Sequence, residues 1–148
     1  MNNFLKIHGC FEQKIYKIVD GKKHLVEDYI DPNLVVNLGK EKVVKLLANE
    51  TAGNYITSIS FGTATNRPTV GDIAITDAFT KNVSGYSFPS TTSVKFDWTL
   101  LTTEANGKAI TEYGLLTQDG SLFSRKVRGV INKEADVLIN GSWTITII

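Results

Sequence analysis

Apolar and polar residues alternate along two stretches in the second half of the chain. The first stretch begins at Ser93, and the apolar side chains that share one face are Val94, Phe96, Trp98 and Leu100. The second stretch ends the chain, and its apolar positions are Val137, Ile139, Trp143, Ile145 and Ile147. A period of two is typical of a β-strand with one buried face. Both stretches are therefore predicted to be strands, and Gly141, which interrupts the second, is expected to mark a bulge.

A β-hairpin is predicted near the N-terminus. Residues 11–19 and 22–30 are joined by Asp20-Gly21, a dipeptide suited to a two-residue type I′ turn. The turn sets a register that pairs Phe11 with Ile30, Ile15 with Val26 and Tyr16 with Leu25. Each face of this hairpin mixes apolar and charged side chains, so the pattern leaves open which face is buried.

One short helix is predicted among the strands. Its apolar stripe lies within residues 37–48 and consists of Leu38, Val43, Leu46 and Leu47. Elsewhere, short predicted strands alternate with turn signals such as Asn106-Gly107 and Asp119-Gly120. The expected fold is all-β, an antiparallel β-sandwich with an N-terminal β-hairpin and one short helix. Asp31-Pro32 marks the expected boundary between a hairpin arm, residues 1–31, and a β-sandwich domain, residues 32–148.

Composition and charge narrow the class of protein. The 148 residues are the length of one domain, and 16 Lys plus Arg balance 15 Asp plus Glu, with the charges spread along the chain. Since no basic patch is evident, we expect no nucleic-acid partner. The apolar runs are far shorter than the ~20 residues needed to cross a bilayer, and no signal-peptide pattern is present. A soluble protein with no membrane partner is therefore expected.

Few residues could support metal binding or nucleophilic catalysis. The chain has two histidines, His8 and His24, and one cysteine, Cys10. The hairpin register places His24 opposite Lys17 and Cys10 opposite Asp31, so the three candidate ligands are spread along the ribbon. A single cysteine also cannot form an internal disulfide. We expect no metal site, no cofactor and no catalytic residue, and hence a protein that is not an enzyme.

A structural ion pair is predicted in the hairpin closed by Asp119-Gly120. That turn places Arg125 opposite Gly114, and therefore diagonal to Glu112 on the same face of the sheet. Paired carboxylates could also serve acid–base chemistry. A Glu112–Arg125 ion pair explains the two residues better than a catalytic acid does, because the arginine lies within reach of the carboxylate.

Four aromatic residues between positions 86 and 98 could form a binding site instead of part of the core. Aromatic faces suit carbohydrate rings, and a sugar-binding groove could be lined by Tyr86, Phe88, Phe96 and Trp98. Alternating aromatic residues in a sandwich usually fill its core, however. A core position is therefore the favoured prediction for these side chains.

Several segments resemble small structural proteins of tailed-phage virions. The first is Tyr55-Ile-Thr-Ser-Ile-Ser-Phe-Gly-Thr-Ala-Thr-Asn-Arg-Pro68 followed by Asp72, in which a strand runs into a Gly- and Thr-rich loop. The others are Asn33-Leu-Val-Val-Asn-Leu-Gly39, Thr103-Glu-Ala-Asn-Gly107, Ile110-Thr-Glu-Tyr-Gly-Leu-Leu116, Asp119-Gly-Ser-Leu-Phe-Ser-Arg125 and Trp143-Thr-Ile-Thr-Ile147. Together they extend over nearly the whole chain.

The resemblance implies a non-catalytic virion structural protein of a tailed bacteriophage. Such a protein assembles on the particle through protein–protein contacts, as a capsid decoration protein or as a tail, baseplate or fibre adaptor. Its implied partners are other virion structural proteins and further copies of itself in a homo-oligomer. Its implied location is the virion, after synthesis in the host cytoplasm. The alternative function is a receptor-binding module that recognises host-surface glycan through exposed aromatic residues and the loops at 62–68 or 102–108.

The N-terminal hairpin is the predicted assembly surface. A hairpin alone is marginal in water, so one of its faces must pack against the rest of the chain. A second apolar row would then remain for a neighbouring subunit. The candidate interface residues are Phe11, Ile15, Tyr16, Ile18, Leu25 and Val26.

Overall fold

A computed structural model describes residues 4–148, which form nine strands and one helix. The strands are Ile7–Val19 (β1), Lys22–Val35 (β2), Ile56–Gly62 (β3), Phe79–Asn82 (β4), Gly85–Ser90 (β5), Ser93–Leu100 (β6), Ala109–Thr117 (β7), Leu122–Asn132 (β8) and Val137–Ile147 (β9). The helix α1 is Asn37–Leu47. The alternating stretches predicted as strands are β6 and β9, whereas the short strands β4 and β5 had no clear pattern in the sequence.

All strand pairs are antiparallel, and the strands form one continuous sheet in the order β4-β3-β7-β8-β2-β1-β9-β6-β5. The sheet curls into a half-barrel, and its concave side encloses the core. This architecture confirms the all-β class with one helix. The hydrogen bonds join all nine strands through β2, which pairs with β1 along most of its length and with β8 at its end.

Aromatic side chains from five strands meet in the core. The ring of Phe11 on β1 lies 4.8 Å from Tyr113 on β7 and 5.2 Å from Trp143 on β9, measured between centroids. Trp98 on β6 and Phe61 on β3 contact each other at 5.2 Å. All five side chains are at most 1% exposed. The core therefore holds the two arms of the curled sheet together through large apolar surfaces.

Strand β1 lies in the middle of the sheet, between β2 and β9. Its side chains Phe11 and Ile15 belong to the same core as β6 and β7. The expected boundary after residue 31 falls inside β2. The hairpin therefore shares its core with the rest of the chain, which differs from the separate arm expected for residues 1–31, of which residues 1–3 lie outside the described residues.

The turn of this hairpin has the predicted conformation. Asp20 and Gly21 have φ angles of 51° and 73°, and a type I′ turn requires positive φ at both positions. Tyr16 pairs with Leu25, as the turn register predicts. Beyond that point the predicted register is wrong, because Val26 forms a bulge.

The bulge moves every later pair by one residue. Ile15 pairs with Glu27 instead of Val26, and Phe11 pairs with Asp31 instead of Ile30. Glu27 and Asp31 consequently share the face of the sheet on which Ile15 and Phe11 are buried. This places both carboxylates within reach of cations on β8, since Arg128 contacts Glu27 and Lys126 contacts Asp31.

Gly141 does not form the expected bulge. It continues the ladder, opposite Gln13 on one side and Trp98 on the other. A Cβ atom at this position would lie 1.9 Å from Cζ2 of the Trp98 ring. A glycine is therefore needed here so that the indole can lie flat against the backbone of β9.

The helix forms where it was predicted, and Val43 of its apolar stripe packs against the core. It buries Gly39 and Lys42, while Leu46 and Leu47 of the predicted stripe are exposed. A Cβ atom at Gly39 would lie 2.2 Å from the carbonyl oxygen of Phe123 on β8. Close backbone packing at Gly39 therefore selects the buried face, and part of the apolar stripe is left on the surface.

We predict that Phe11→Ala lowers the free energy of unfolding by about 3–5 kcal/mol, because the ring fills a fully buried site among other aromatic rings. Urea denaturation measures the change. Val26→Ala is the control, since Val26 is 64% exposed on the same hairpin and should change stability by only about 0.5 kcal/mol. Equal effects of the two substitutions would show that β1 is not part of the core.

Candidate functional site

A buried polar cluster is centred on Arg125. This residue lies on β8 opposite Gly114, as the hairpin register predicts, and its side chain is 2% exposed. Its Nε donates a hydrogen bond of 2.7 Å to Oε2 of Glu112, which is 1% exposed. The structure thus brings the predicted pair together on the face where the turn places them.

Two further groups accept hydrogen bonds from the Arg125 guanidinium. Its Nη1 donates to Oδ2 of Asp72 at 2.9 Å, and its Nη2 donates to Oδ1 of Asn66 at 3.2 Å. Both partners come from the 63–78 loop between β3 and β4. Sequence reasoning missed them because they are distant along the chain and follow no periodic pattern.

Glu112 holds the same loop through its other oxygen. Its Oε1 accepts a hydrogen bond from the backbone N–H of Thr76 at 2.8 Å and a longer one from Ala64 at 3.4 Å. Burial tends to raise the pKa of Asp72, but hydrogen bonds from Thr69 and Arg125 outweigh it and leave that pKa below its usual value. The guanidinium thus donates three hydrogen bonds, two of them to residues of the 63–78 loop, and this arrangement holds the loop against β8.

The three candidate metal ligands are distributed along the hairpin. His8 and Cys10 lie near the start of β1, opposite Thr146 and Thr144, whereas His24 lies opposite Lys17 near the turn. Cys10 faces Pro32, not Asp31, because of the bulge. Burial raises the pKa of its thiol. Within residues 4–148, no group of three or more His, Cys, Asp or Glu side chains is arranged to hold a metal ion.

The six residues predicted as the assembly surface divide between the core and the surface. Phe11 and Ile15 are 0% and 7% exposed, so they cannot contact a partner. The remaining four, which we call the hairpin patch, are Tyr16, Ile18, Leu25 and Val26. Leu25 is 54% exposed and Val26 is 64% exposed, while the other two are half-buried.

A second apolar surface was not expected from the sequence. It is a groove between the start of the described chain, the helix and the end of β9, and its apolar lining consists of Leu5, Ile7, Val43, Val44 and Ile147. Leu5 is 82% exposed. The apolar stripe predicted on the helix was the available signal, since Val43 belongs both to that stripe and to the groove.

Two of the four candidate sugar-binding aromatic residues are on the surface. Tyr86 and Phe88 on edge strand β5 are 67% and 71% exposed, with ring centroids 5.6 Å apart. Together with Tyr55 they line a shallow cleft. Trp98 and Phe96 are buried, as favoured. The core prediction was therefore wrong for the two residues on β5, because that strand extends beyond the enclosed part of the sheet.

Comparison with protein-family models, with curated proteins and with solved structures finds no match to this chain. Among the described residues, no helix has both the length and the apolar character required to cross a bilayer.

We predict that Glu112→Ala lowers the free energy of unfolding by about 3 kcal/mol, because it removes one partner of a buried ion pair and two acceptor contacts for the 63–78 loop. Chemical denaturation measures the loss. Glu134→Ala is the matched control, since Glu134 is exposed and forms no ion pair within the described chain. Lys108 is a poorer control because it contacts Asp77. A Glu112→Ala protein as stable as the control would contradict the structural role of the pair.

Proposed function

We propose that this chain is a non-catalytic structural subunit of a tailed-phage virion, assembled on the particle through protein–protein contacts. The observation that carries the proposal is the hairpin patch, where apolar side chains remain exposed on a strand pair that is anchored in the core. Exposed apolar side chains grouped on one surface are typical of a protein–protein contact. The resemblance of the strand and turn segments to small virion proteins supports the same function.

The surroundings of the patch fit an assembly contact. Val26 lies at one side of a cleft whose other side is Val130 on β8, a residue 55% exposed. Charged side chains, among them Lys17, Glu27 and Asp136, surround these apolar residues. An apolar centre with a charged rim is the usual composition of an interface. The two arms of the curled sheet enclose one core, as the layers of a β-sandwich do. The strands that carry the hairpin patch are therefore held in place by this core.

The proposed partners are other virion structural proteins and further copies of this chain, and the proposed location is the virion. Capsid decoration and attachment at the tail or baseplate both require a stably folded subunit with at least one exposed surface that binds another protein. The hairpin patch and the groove beside the helix provide two such surfaces on different parts of the molecule.

We predict that the chain is a stoichiometric component of gradient-purified phage particles, and that Leu25→Asp reduces its incorporation about tenfold or more, because a charge would enter an apolar contact. Quantitative mass spectrometry of purified virions measures both. Thr65→Asp, in an exposed loop away from the hairpin, is the control and should incorporate normally. Absence of the wild-type chain from purified particles would refute the proposed function.

A receptor-binding module that recognises host-surface glycan is the second candidate. The exposure of Tyr86 and Phe88 favours it, because carbohydrate rings stack on accessible aromatic faces. Tyr55 adds a third exposed ring at the same cleft. The cleft is shallow and lies on an edge strand, so it suits a surface sugar more than an enclosed small molecule.

For this second candidate we predict a signal on a glycan array that Tyr86→Ala and Phe88→Ala each weaken about tenfold, since each removes an accessible stacking surface. Tyr16→Ala, which removes an aromatic ring from the hairpin patch, should leave glycan binding unchanged. A wild-type protein that binds no glycan, or variants that bind as well as wild type, would exclude this function for the β5 cleft.

A further inference from the structure

Strand β2 lies between β8 and β1 in the sheet, but over most of its length no strand of the described chain is hydrogen-bonded to the side that faces β8. Its ladder with β8 consists of two pairs, Leu34 with Arg125 and Val35 with Ser124. From Asn33 back to Lys22, β2 is paired in the described chain with β1 alone. Strands β2 and β8 diverge toward the hairpin turn, where a cleft separates them. Side chains of β8 reach Asp31, the carbonyl of Pro32 and Glu27, so the backbone N–H and C=O groups available to another strand lie within residues 22–28.

The charges on this edge follow a self-complementary order. Lys22, Lys23 and His24 precede Leu25 and Val26, and Glu27 and Asp28 come after them. A strand with this order, laid antiparallel on a second copy of itself, brings the basic half of each strand onto the acidic half of the other. The apolar residues then meet at the centre of the pair.

The bulge at Val26 places the opposite charges on matching faces. Lys23 pairs with Ile18 and Asp28 pairs with Lys14, and both positions lie on the outer face of the hairpin. Without the bulge, residues 23 and 28 would lie on opposite faces, because side chains alternate along a strand. The charged side chain of Asp28 is 59% exposed and its contact with Lys14 is long, at 3.8 Å, so the carboxylate is accessible to a partner.

We propose that two copies of this chain pair through the free edge of β2, antiparallel about a two-fold axis. Lys23 of each copy lies opposite Asp28 of the other, and the Leu25 side chains of the two copies lie opposite each other at the centre, because the bulged Val26 does not count as a step of the ladder. The same register sets His24 opposite Glu27, which also contacts Arg128. Cross-strand pairs of opposite charge stabilise a sheet and like charges destabilise it, so the charge order selects this register. This inference deepens the proposed function by assigning the homo-oligomer contact.

A second copy fits the edge better than an unrelated strand does. Edge strands with lysines and a bulge normally resist pairing with other chains. A strand with the complementary charge order overcomes that resistance, and this chain carries such a strand in β2 itself. A two-fold contact of this kind is self-complementary, so it closes after two copies and does not extend into a fibre.

The test uses charge reversal in the full-length chain, with sedimentation velocity to measure its oligomeric state. Wild type should be a dimer. Lys23→Asp and Asp28→Lys should each raise the dimer dissociation constant by about tenfold or more, because each variant sets two like-charge pairs across the interface. An equimolar mixture of the two variants should form a heterodimer, since residue 23 of one then lies opposite a residue 28 of opposite charge in the other. The protein carrying both substitutions should dimerise as wild type does.

Glu50→Lys is the control, because Glu50 is exposed in the segment after the helix, close to Gly53, which contacts Asp119 in the turn between β7 and β8, and this variant should remain dimeric. A monomeric wild type, or single variants that dimerise as well as wild type, would overturn the proposed pairing. If the charge variants are monomeric and the mixture does not recover the dimer, the proposed register is also wrong. Circular dichroism of each variant verifies that the exposed substitutions leave the chain folded.

The pairing and the virion role can fail separately. A chain that is present in purified particles but monomeric in solution, with charge variants incorporated normally, overturns the pairing and leaves the virion role standing. A chain whose dimer is restored by mixing the variants but which is absent from particles supports the pairing and overturns the virion role.

Discussion

The contact between β2 and β8 determines the shape of this protein. It consists of two ladder pairs, at Leu34 and Val35, yet it joins the two arms of a nine-stranded sheet. Beyond these pairs the strands diverge, and ion pairs between side chains replace backbone hydrogen bonds. Lys126 and Arg128 on β8 reach Asp31 and Glu27 on β2, respectively. The curl that encloses the core and the free edge of β2 both result from this short junction.

Buried ion pairs fix the positions of segments that form no β-ladder, namely the 63–78 loop and the helix. Arg125 fastens the 63–78 loop, and Lys42 on the helix reaches Asp119 in the turn between β7 and β8. Hydrogen bonds from Lys42 and Thr117 keep the pKa of Asp119 well below its usual range. Such pairs add little net stability over apolar contacts, but breaking one leaves a buried charge alone. Their effect is to specify the position of a loop or helix, and the apolar surfaces proposed for assembly depend on that framework.

Local patterns in the sequence were sufficient to predict the local elements. Asp20-Gly21 requires positive φ at two positions, which a type I′ turn supplies, and the period of two in β6 and β9 identifies their buried faces. The pairing of Arg125 with Glu112 also follows from the sequence, because both residues lie within one hairpin and the turn fixes which residues are opposite. The resemblance to virion proteins, by contrast, concerns function and remains a proposal.

Features that depend on contacts between distant segments became visible in the folded chain alone. The helix buries Gly39 because its backbone approaches β8, so Leu46 and Leu47 remain outside despite their helical spacing. Gly141 is required by the Trp98 ring across the ladder, which no local pattern reports. The central position of β1, and with it the division of the hairpin into a buried and an exposed face, follows from pairing with the C-terminal strand β9. Local pattern fixes what a segment can form, while burial depends on which distant segment packs against it.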